Sequence, residues 1–386
     1  MKIMYMSHRY HTNQSAIVKG WKDHGDEVLF CSQYAGKIED YTDTEPVVIG
    51  YSPLYRMLDY VYVHFLARNN PAAIDLKIKC GFPPIRKLAG TIKSFRPDLV
   101  IMRERSLYSI CTYALCRHYR IPSCLYMMNP VWGEKPKMDL PHRIVRKLTP
   151  PLRLTPSMVI GIERKGKIKD KNAFFAPYLM EPQVSPEEKE YFQGGRINIF
   201  AIGKYQERKN HFLMIQAVEA LMDKYPRIHL NIAGEMSNDF HKEYYGRVKK
   251  YIKEHSLEKT VTLYTNLNKE RMVEEYKKAD LFVIPSTGEP GAVSHLEAMA
   301  FSVPAIGGTD NGTASYIIPG ETGYIFQDKS VEDLAKKIEL VIKDELELKR
   351  MGKKAYEHVK NDFQFDKYYD SVKKVMERYR QRGKNF

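Results

Sequence analysis

Residues 280–300 read DLFVIPSTGEPGAVSHLEAMA. The run 281–284 is short, apolar and rich in β-branched and aromatic side chains, which predicts a buried strand. SHLEAMA has helix-forming composition. A strand that passes through a Gly- and Pro-marked loop into a helix is the unit from which parallel sheets are built. In this reading Glu289 falls on the loop, Pro290 and Gly291 open the helix, and Glu297 lies about two turns down it among Leu296, Ala298, Met299 and Ala300. A carboxylate in such apolar company is costly unless something pairs with it. The hydroxyls of a ribose would do so, and the free backbone N–H groups at the helix start suit a phosphate. The alternative is local: Glu289 caps the helix and Glu297 pairs with an internal Lys, Arg or His295.

The same alternation runs outward in both directions. KIMYM, EVLFC, DLVIM, SCLYMM and SMVIGI read as strands of the first half, with helices at about 53–68, 85–95, 107–119 and 141–148. INIFAI, RIHLNIAG, TVTLY, DLFVIP, PAIGG and GYIF read as strands of the second half, with helices starting near Lys209, Phe240, Lys269, Ala292, Ala314 and Ser330. The predicted class is α/β: two Rossmann-like domains facing across a cleft, where the carboxyl ends of the strands hold ligands. Met180 to Gly195 is acidic, Pro- and Gly-marked and without apolar periodicity, so the boundary is placed near Glu181. The expected division is 1–180, 181–360 and 361–386, the last a terminal helix that can return to the first domain.

The length of 386 residues suits two domains. No apolar run reaches the roughly 18 residues of a spanning helix, and MKIMYMSHRY is too short and polar for a secretory signal. Five cysteines, none in a CxxC pair, read as reduced packing residues of a cytoplasmic chain. Of the net charge of +14, residues 1–180 carry 28 Lys and Arg against 15 Asp and Glu, whereas residues 181–386 carry 33 against 32. The excess lies between residues 51 and 180 and includes PHRIVRKLTPPLR. Such a field concentrates anions, including membrane head groups or a lipid diphosphate. A generically basic, soluble surface is the other reading.

Two further loops carry candidate chemistry. GKYQERKN, residues 203–210, places Lys204 and Lys209 after the strand INIFAI, where two cations can hold a diphosphate and stabilise a leaving nucleotide; a solvated basic loop is the alternative. GGTDNGTA, residues 307–314, is a Gly-rich turn whose amides can line a pocket. GxGxxG, GxSxG, HExxH and a Walker loop are all missing, which weakens dehydrogenase and hydrolase readings. There is no Asp-x-Asp pair, so no metal or other cofactor is required by the pattern.

Together these residues resemble glycosyltransferase family 4, retaining enzymes of the GT-B fold. EPGAVSHLEAMAFSVP matches the family pattern EPFGxxxxEAMAxGxP. It departs at Gly291-Ala292, where Phe-Gly is common, and at Ser302, where Gly is common. Gly203, Lys204 and Lys209 fall on its GRLxxxKG segment, with Lys in place of the usual Arg at 204. Ala233-Gly234-Glu235 and NGTASYIIPGETGYIF match its later glycine turns, so the resemblance spans about 197–326.

The resemblance implies a donor site in which Gly203, Lys204 and Lys209 hold the diphosphate of a nucleotide sugar, with a UDP- or GDP-sugar expected. Glu297 would bind the ribose, and Glu289 would contact the transferred sugar close to the reacting carbon, with Lys209 as the second catalytic residue. Pro290, Gly291, Ala292 and Val293 would add phosphate contacts, and Asn266 and Leu267 would lie beside the base. The first domain lacks the family's Gly-Gly loop and His. There Arg103 and Asn129 are the candidate acceptor contacts, with a surface ion pair as the alternative for Arg103. The expected activity is transfer of a sugar to a glycan or lipid-linked saccharide in cell-surface polysaccharide or lipopolysaccharide synthesis. The protein would act in the cytoplasm or peripherally at the inner membrane face, with no nucleic-acid partner. A nucleotide-sugar epimerase of the same fold, or a non-catalytic relative that binds membrane or nucleic acid, is the alternative.

Overall fold

A computed structural model describes residues 1–10, 14–36, 41–42, 44–62, 80–103, 105–128, 140–157 and 172–383. The first half holds β1 (Lys2–Ser7), α1 (Ser15–Asp23), β2 (Glu27–Ser32), β3 (Val47–Val48), α2 (Pro53–Val61), α3 (Ile85–Phe95), β4 (Leu99–Arg103), α4 (Leu107–His118), β5 (Ser123–Tyr126), α5 (Leu140–Lys147), β6 (Arg153–Thr155) and β7 (Ala173–Phe175). Its strands form one parallel sheet in the order β3-β2-β1-β4-β5-β6-β7. The second half holds β8 (Ile197–Ile202), α6 (His211–Met222), β9 (Ile228–Gly234), α7 (Asp239–Glu254), β10 (Val261–Thr265), α8 (Lys269–Lys278), β11 (Leu281–Ile284), α9 (Ser294–Ala300), β12 (Ala305–Gly308), β13 (Gly323–Phe326), α10 (Val331–Ile342), α11 (Glu345–Asp362) and α12 (Phe365–Gly383). Its sheet runs β10-β9-β8-β11-β12-β13, again parallel throughout.

The apolar strand runs are long because each sheet is covered on both faces. Every residue of β9 and β11 is buried. One cluster around Met214, Val218, Leu230 and Ile338 packs on one face of the second sheet, and another around Phe282, Leu296, Met299 and Tyr316 packs on the other. In both sheets the chain starts in the middle and reverses direction beside the first strand. This leaves a crevice at the carboxyl ends of β1 and β4 and of β8 and β11.

The last helix returns to the first sheet. Tyr368 shares a hydrogen bond with Tyr5, Oη to Oη at 2.9 Å, and Phe365 and Tyr369 lie edge-on to Trp21. Arg382 donates to the Asn172 side chain at 2.6 Å. The Pro- and Gly-marked stretch after Met180 is tied to the second sheet. Gln183 N–H donates to Ala300 O at 2.9 Å, and the buried Lys189 ammonium donates to Ala279 O at 2.7 Å. Burial drops the Lys189 pKa to about 8.

Several expectations shift. The sixth strand is Arg153–Thr155, ahead of the more apolar run that starts at Ser157, and residues 158–162 lie outside the described residues. The helix expected near Ala314 is a single 3-10 turn, Ala314–Tyr316, because Asn311 and Thr313 bond locally. The helix after Glu289 begins at Ser294 rather than at Pro290, so Glu297 stands in its first turn and not two turns down. Ser302 adopts φ 58°, a left-handed conformation that suits Gly. Its hydroxyl compensates by donating to Val184 O at 2.7 Å.

Candidate functional site

The loops after β8 and β11 meet because those strands are neighbours. Asn210, in left-handed conformation, donates through Nδ2 to Pro285 O at 2.8 Å and to Thr287 Oγ1 at 2.6 Å, and Thr287 N–H donates to Arg208 O at 2.9 Å. Gly203 lets Lys209 fold back across the strand end: a Cβ there would lie 3.0 Å from the Lys209 side chain. The Lys209 ammonium reaches Glu289 Oε2 at 2.6 Å, and Arg208 reaches the same oxygen at 2.8 Å.

Lys209 and Glu289 are about nine-tenths buried at the side chain, 13% and 12% exposed. Burial alone would raise the Glu289 pKa, but Lys209 and Arg208 outweigh it and hold the carboxyl below the ordinary value. For Lys209, burial wins over its acidic partner and lowers the ammonium. Glu289 therefore does not cap α9. Its backbone is pinned from the other side, where Glu289 N–H donates to Asp310 O at 3.1 Å and Gly312 N–H donates to Glu289 O at 2.8 Å. The Gly-rich turn at 307–314 thus braces this loop.

Lys204 pairs with Glu235, Nζ to Oε2 at 2.8 Å, with both side chains near half exposed. The hydrogen bond from Lys204 draws the Glu235 carboxyl down. Lys204 lies close enough to Lys209 to depress its ammonium through charge repulsion. Glu297 accepts a 2.6 Å hydrogen bond from the Tyr276 hydroxyl, and burial raises its carboxyl. Its partner is neither a cation nor His295. His295 is fully buried, lies 3.1 Å through Nε2 from Thr313 O, and is pushed down to about 4 by burial, so its ring is neutral.

Pro290, Gly291, Ala292 and Val293 form a loop rather than a helical turn. Pro290 O accepts from Ser157 Oγ at 2.6 Å, which brings the first half against this loop. A Cβ on Gly291 would lie 2.8 Å from Tyr178 Oη and 3.1 Å from Ser157 Oγ. Ala292 O accepts from Thr313 Oγ1 at 2.8 Å, and Val293 precedes α9 without a side-chain cap. Asn266 spends its side chain on Met236, accepting from its N–H at 2.8 Å and donating to its O at 3.1 Å. Leu267 is half-buried against the Phe282 cluster.

Arg103 ends β4 and donates to Met128 Sδ at 2.8 Å. Its charge opposes the upward push of burial on the Tyr178 hydroxyl, which places it electrostatically beside the Gly291 loop. Asn129 lies outside the described residues. Among the described residues, no group of three His, Cys, Asp or Glu side chains is placed to hold a metal.

The structure therefore gathers Gly203, Lys209, Glu289 and the 290–293 loop at one strand-end crevice, with Lys204 at its rim. Glu297 sits behind it on Tyr276. Sequence reasoning missed Arg208, Tyr276, Ser157 and Tyr178. Arg208 was visible beside Lys209, whereas the other three are recruited by tertiary contacts that no local spacing marks.

Residues 186–358 match the family described as glycosyl transferases group 1. The chain is 33% identical over 104 residues to the alpha-1,3/1,6-mannosyltransferase alg-2 of Neurospora crassa, covering 26% of this chain and 22% of that protein. It is 21% identical over 373 residues to the sulfoquinovosyl transferase SQD2 of Arabidopsis thaliana, covering 88% of this chain and 65% of that one. The matches thus span less than two thirds of these relatives' lengths. The solved structure of Anabaena Alr3699/HepE in complex with UDP superimposes with a TM-score of 0.70 at 13% identity, covering 98% of this chain and 100% of that chain, a likeness of fold.

Proposed function

We propose, from the premise that this chain belongs through its C-terminal half to the group 1 glycosyl transferases and has the GT-B fold, that it moves a hexosyl group from a nucleotide-diphosphate sugar to a glycan or lipid-linked saccharide. The observation that carries this reading is the Glu289–Lys209 pair at 2.6 Å, held between adjacent strand ends by bonded loops. A buried ammonium there suits the diphosphate and the charge that grows on it as the sugar leaves. Lys204 would turn from Glu235 to the same phosphates. Glu297, held by Tyr276, would accept from the ribose, and the Asn266–Leu267 turn would flank the base.

Transfer proceeds with retention. The acceptor hydroxyl attacks the face that the diphosphate leaves and gives its proton to a departing phosphate oxygen, while Glu289 positions the sugar. UDP-sugars are the first donors to try, because the superimposing Anabaena protein holds UDP. The first domain would bind the acceptor, with Arg103 at its edge of the cleft, in the synthesis of a cell-surface polysaccharide.

The test is a thermal-shift screen against UDP- and GDP-sugars, followed by product analysis with and without saccharide acceptors. A donor-dependent shift and acceptor-dependent release of nucleotide are expected. Isomerisation of the donor without acceptor would overturn transfer in favour of epimerase chemistry.

A further inference from the structure

The loop after β8 brings two cations to one oxygen. Arg208 and Lys209 are neighbours in the 3-10 turn Glu207–Lys209, and both reach Glu289 Oε2, Arg208 through Nη1 at 2.8 Å and Lys209 through Nζ at 2.6 Å. Among the described residues no hydrogen bond goes to Oε1, which leaves that oxygen for a sugar hydroxyl. The two cations stand differently. Lys209 lies inside at 13% exposed, whereas Arg208 closes the pair from the rim at 46%. The backbone behind them is fixed, because Thr287 N–H donates to Arg208 O at 2.9 Å and Asn210 bonds to Pro285 and Thr287. Position 208 is one of the unspecified places in the GRLxxxKG segment, so the resemblance assigns it no role.

Lys209 alone cannot serve both the carboxylate and a donor. A diphosphate brings more negative charge than one ammonium balances. As Lys209 turns to it, Glu289 would face an anion with its inner counter-ion drawn away. Burial and a like charge both raise a carboxyl pKa, and a protonated or displaced Glu289 no longer presents Oε1 as an acceptor. The other groups around Glu289 do not offset that loss. On the Gly-rich turn Asp310 is itself an acid, and its carboxylate accepts from Gly288 N–H at 2.7 Å. On α9 the buried His295 is neutral. On the segment that joins the halves Tyr178 is a phenol whose pKa is raised by burial first and by Glu289 as well. Lys204 pairs with Glu235. Arg208 remains. Its guanidinium stays charged in any surroundings, whereas burial lowers the Lys209 ammonium.

We propose that Arg208 is the positioning residue of this site: it holds Glu289 ionised and aimed at the sugar while Lys209 gives its charge to the donor diphosphate. The inference rests on the reading of Lys209 and Glu289 given under the proposed function. Arg208 keeps Oε2, Oε1 meets the sugar, and no bond from Arg208 to the substrate is required.

The experiment uses the full chain and its Arg208→Gln, Arg208→Met and Arg208→Lys variants. UDP and GDP are titrated calorimetrically, and kcat is followed from about pH 4 to pH 8 as acceptor-dependent release of nucleotide. The two neutral variants should bind nucleotide within about threefold of the unaltered chain. Their kcat should fall by about tenfold or more, and the acid limb of the kcat profile should move up by about one pH unit. Arg208→Lys keeps the charge and should restore the limb and most of kcat. In the Glu289→Gln chain, Arg208→Gln should cost nothing further, since it acts through that carboxylate. The inference is overturned if both neutral variants keep kcat and the acid limb, or if Arg208→Gln adds its full loss to that of Glu289→Gln. It is overturned too if the neutral variants weaken nucleotide binding as much as Lys209→Met does, which would make Arg208 a phosphate ligand. A chain that binds neither nucleotide fails differently: it removes the donor-site reading itself, and the exchange of partners with it.

Discussion

The two sheets share a strand order through six strands, with β1 and β8 in the same central place and β4 and β11 beside them. The two halves carry charge in different ways. In the second half the loop cations meet acids, Lys204 with Glu235 and both Arg208 and Lys209 with Glu289, and the half is close to neutral. The first half carries the net positive charge. One backbone plan thus supports a charge-balanced strand-end crevice in one half and an excess of cations in the other. Function resides in what is grafted onto the strand ends.

The sharpest way to break the comparison is to change one residue at the carboxyl end of each of the equivalent strands, Arg103 at the end of β4 and Glu289 in the loop after β11. Glu289→Gln should reduce turnover by about 10²–10³-fold with donor affinity nearly kept. Arg103→Gln should raise the acceptor KM and leave donor affinity alone. Steady-state kinetics with calorimetric donor titration separates these, and equal effects from both variants would contradict the division of labour.

Two changes probe how the crevice is held. Tyr276→Phe leaves the Glu297 carboxyl without its 2.6 Å donor and should cost about 1–3 kcal/mol in urea unfolding. Gly291→Ala sets a methyl 2.8 Å from Tyr178 Oη and should cost about 1–3 kcal/mol. Adding Tyr178→Phe removes that oxygen and should restore part of the loss. Ser302→Gly should move stability by less than about 1 kcal/mol, since relief at φ 58° offsets the lost bond to Val184.

The pH dependence follows from Glu289, whose carboxyl is held below its unfolded value by Lys209 and Arg208 against the effect of burial. Its contribution to stability is complete above the unfolded carboxylate pKa and is lost as pH falls through the lower folded value. The Glu289→Gln variant should therefore lose stability less steeply on acidification than the unaltered chain.

Much of this was legible in the sequence. Alternation of short apolar runs with helical stretches set out all six strands of the second sheet and β1, β2, β4 and β5 of the first, but not the short β3, β6 and β7, and the Glu289, Lys204 and Lys209 loops were found by their place after strands. What escaped depends on distance in the chain. The sixth strand, RLT, has no apolar run, because its burial comes from neighbouring strands. The start of α9 moved to Ser294 because residues 289–293 are held by Asp310, Gly312, Thr313 and Ser157. Tyr276 meets Glu297 across 21 positions, and no periodicity within α8 marks it out.

The account turns on Lys209 as the group that meets the donor diphosphate. Calorimetric titration of UDP and GDP into the unaltered chain and into Lys209→Met tests it most directly. At least one nucleotide should bind the unaltered chain, and the variant should bind it about tenfold or more weakly. If neither nucleotide binds, or both proteins bind equally well, the crevice beside Glu289 is not the donor site.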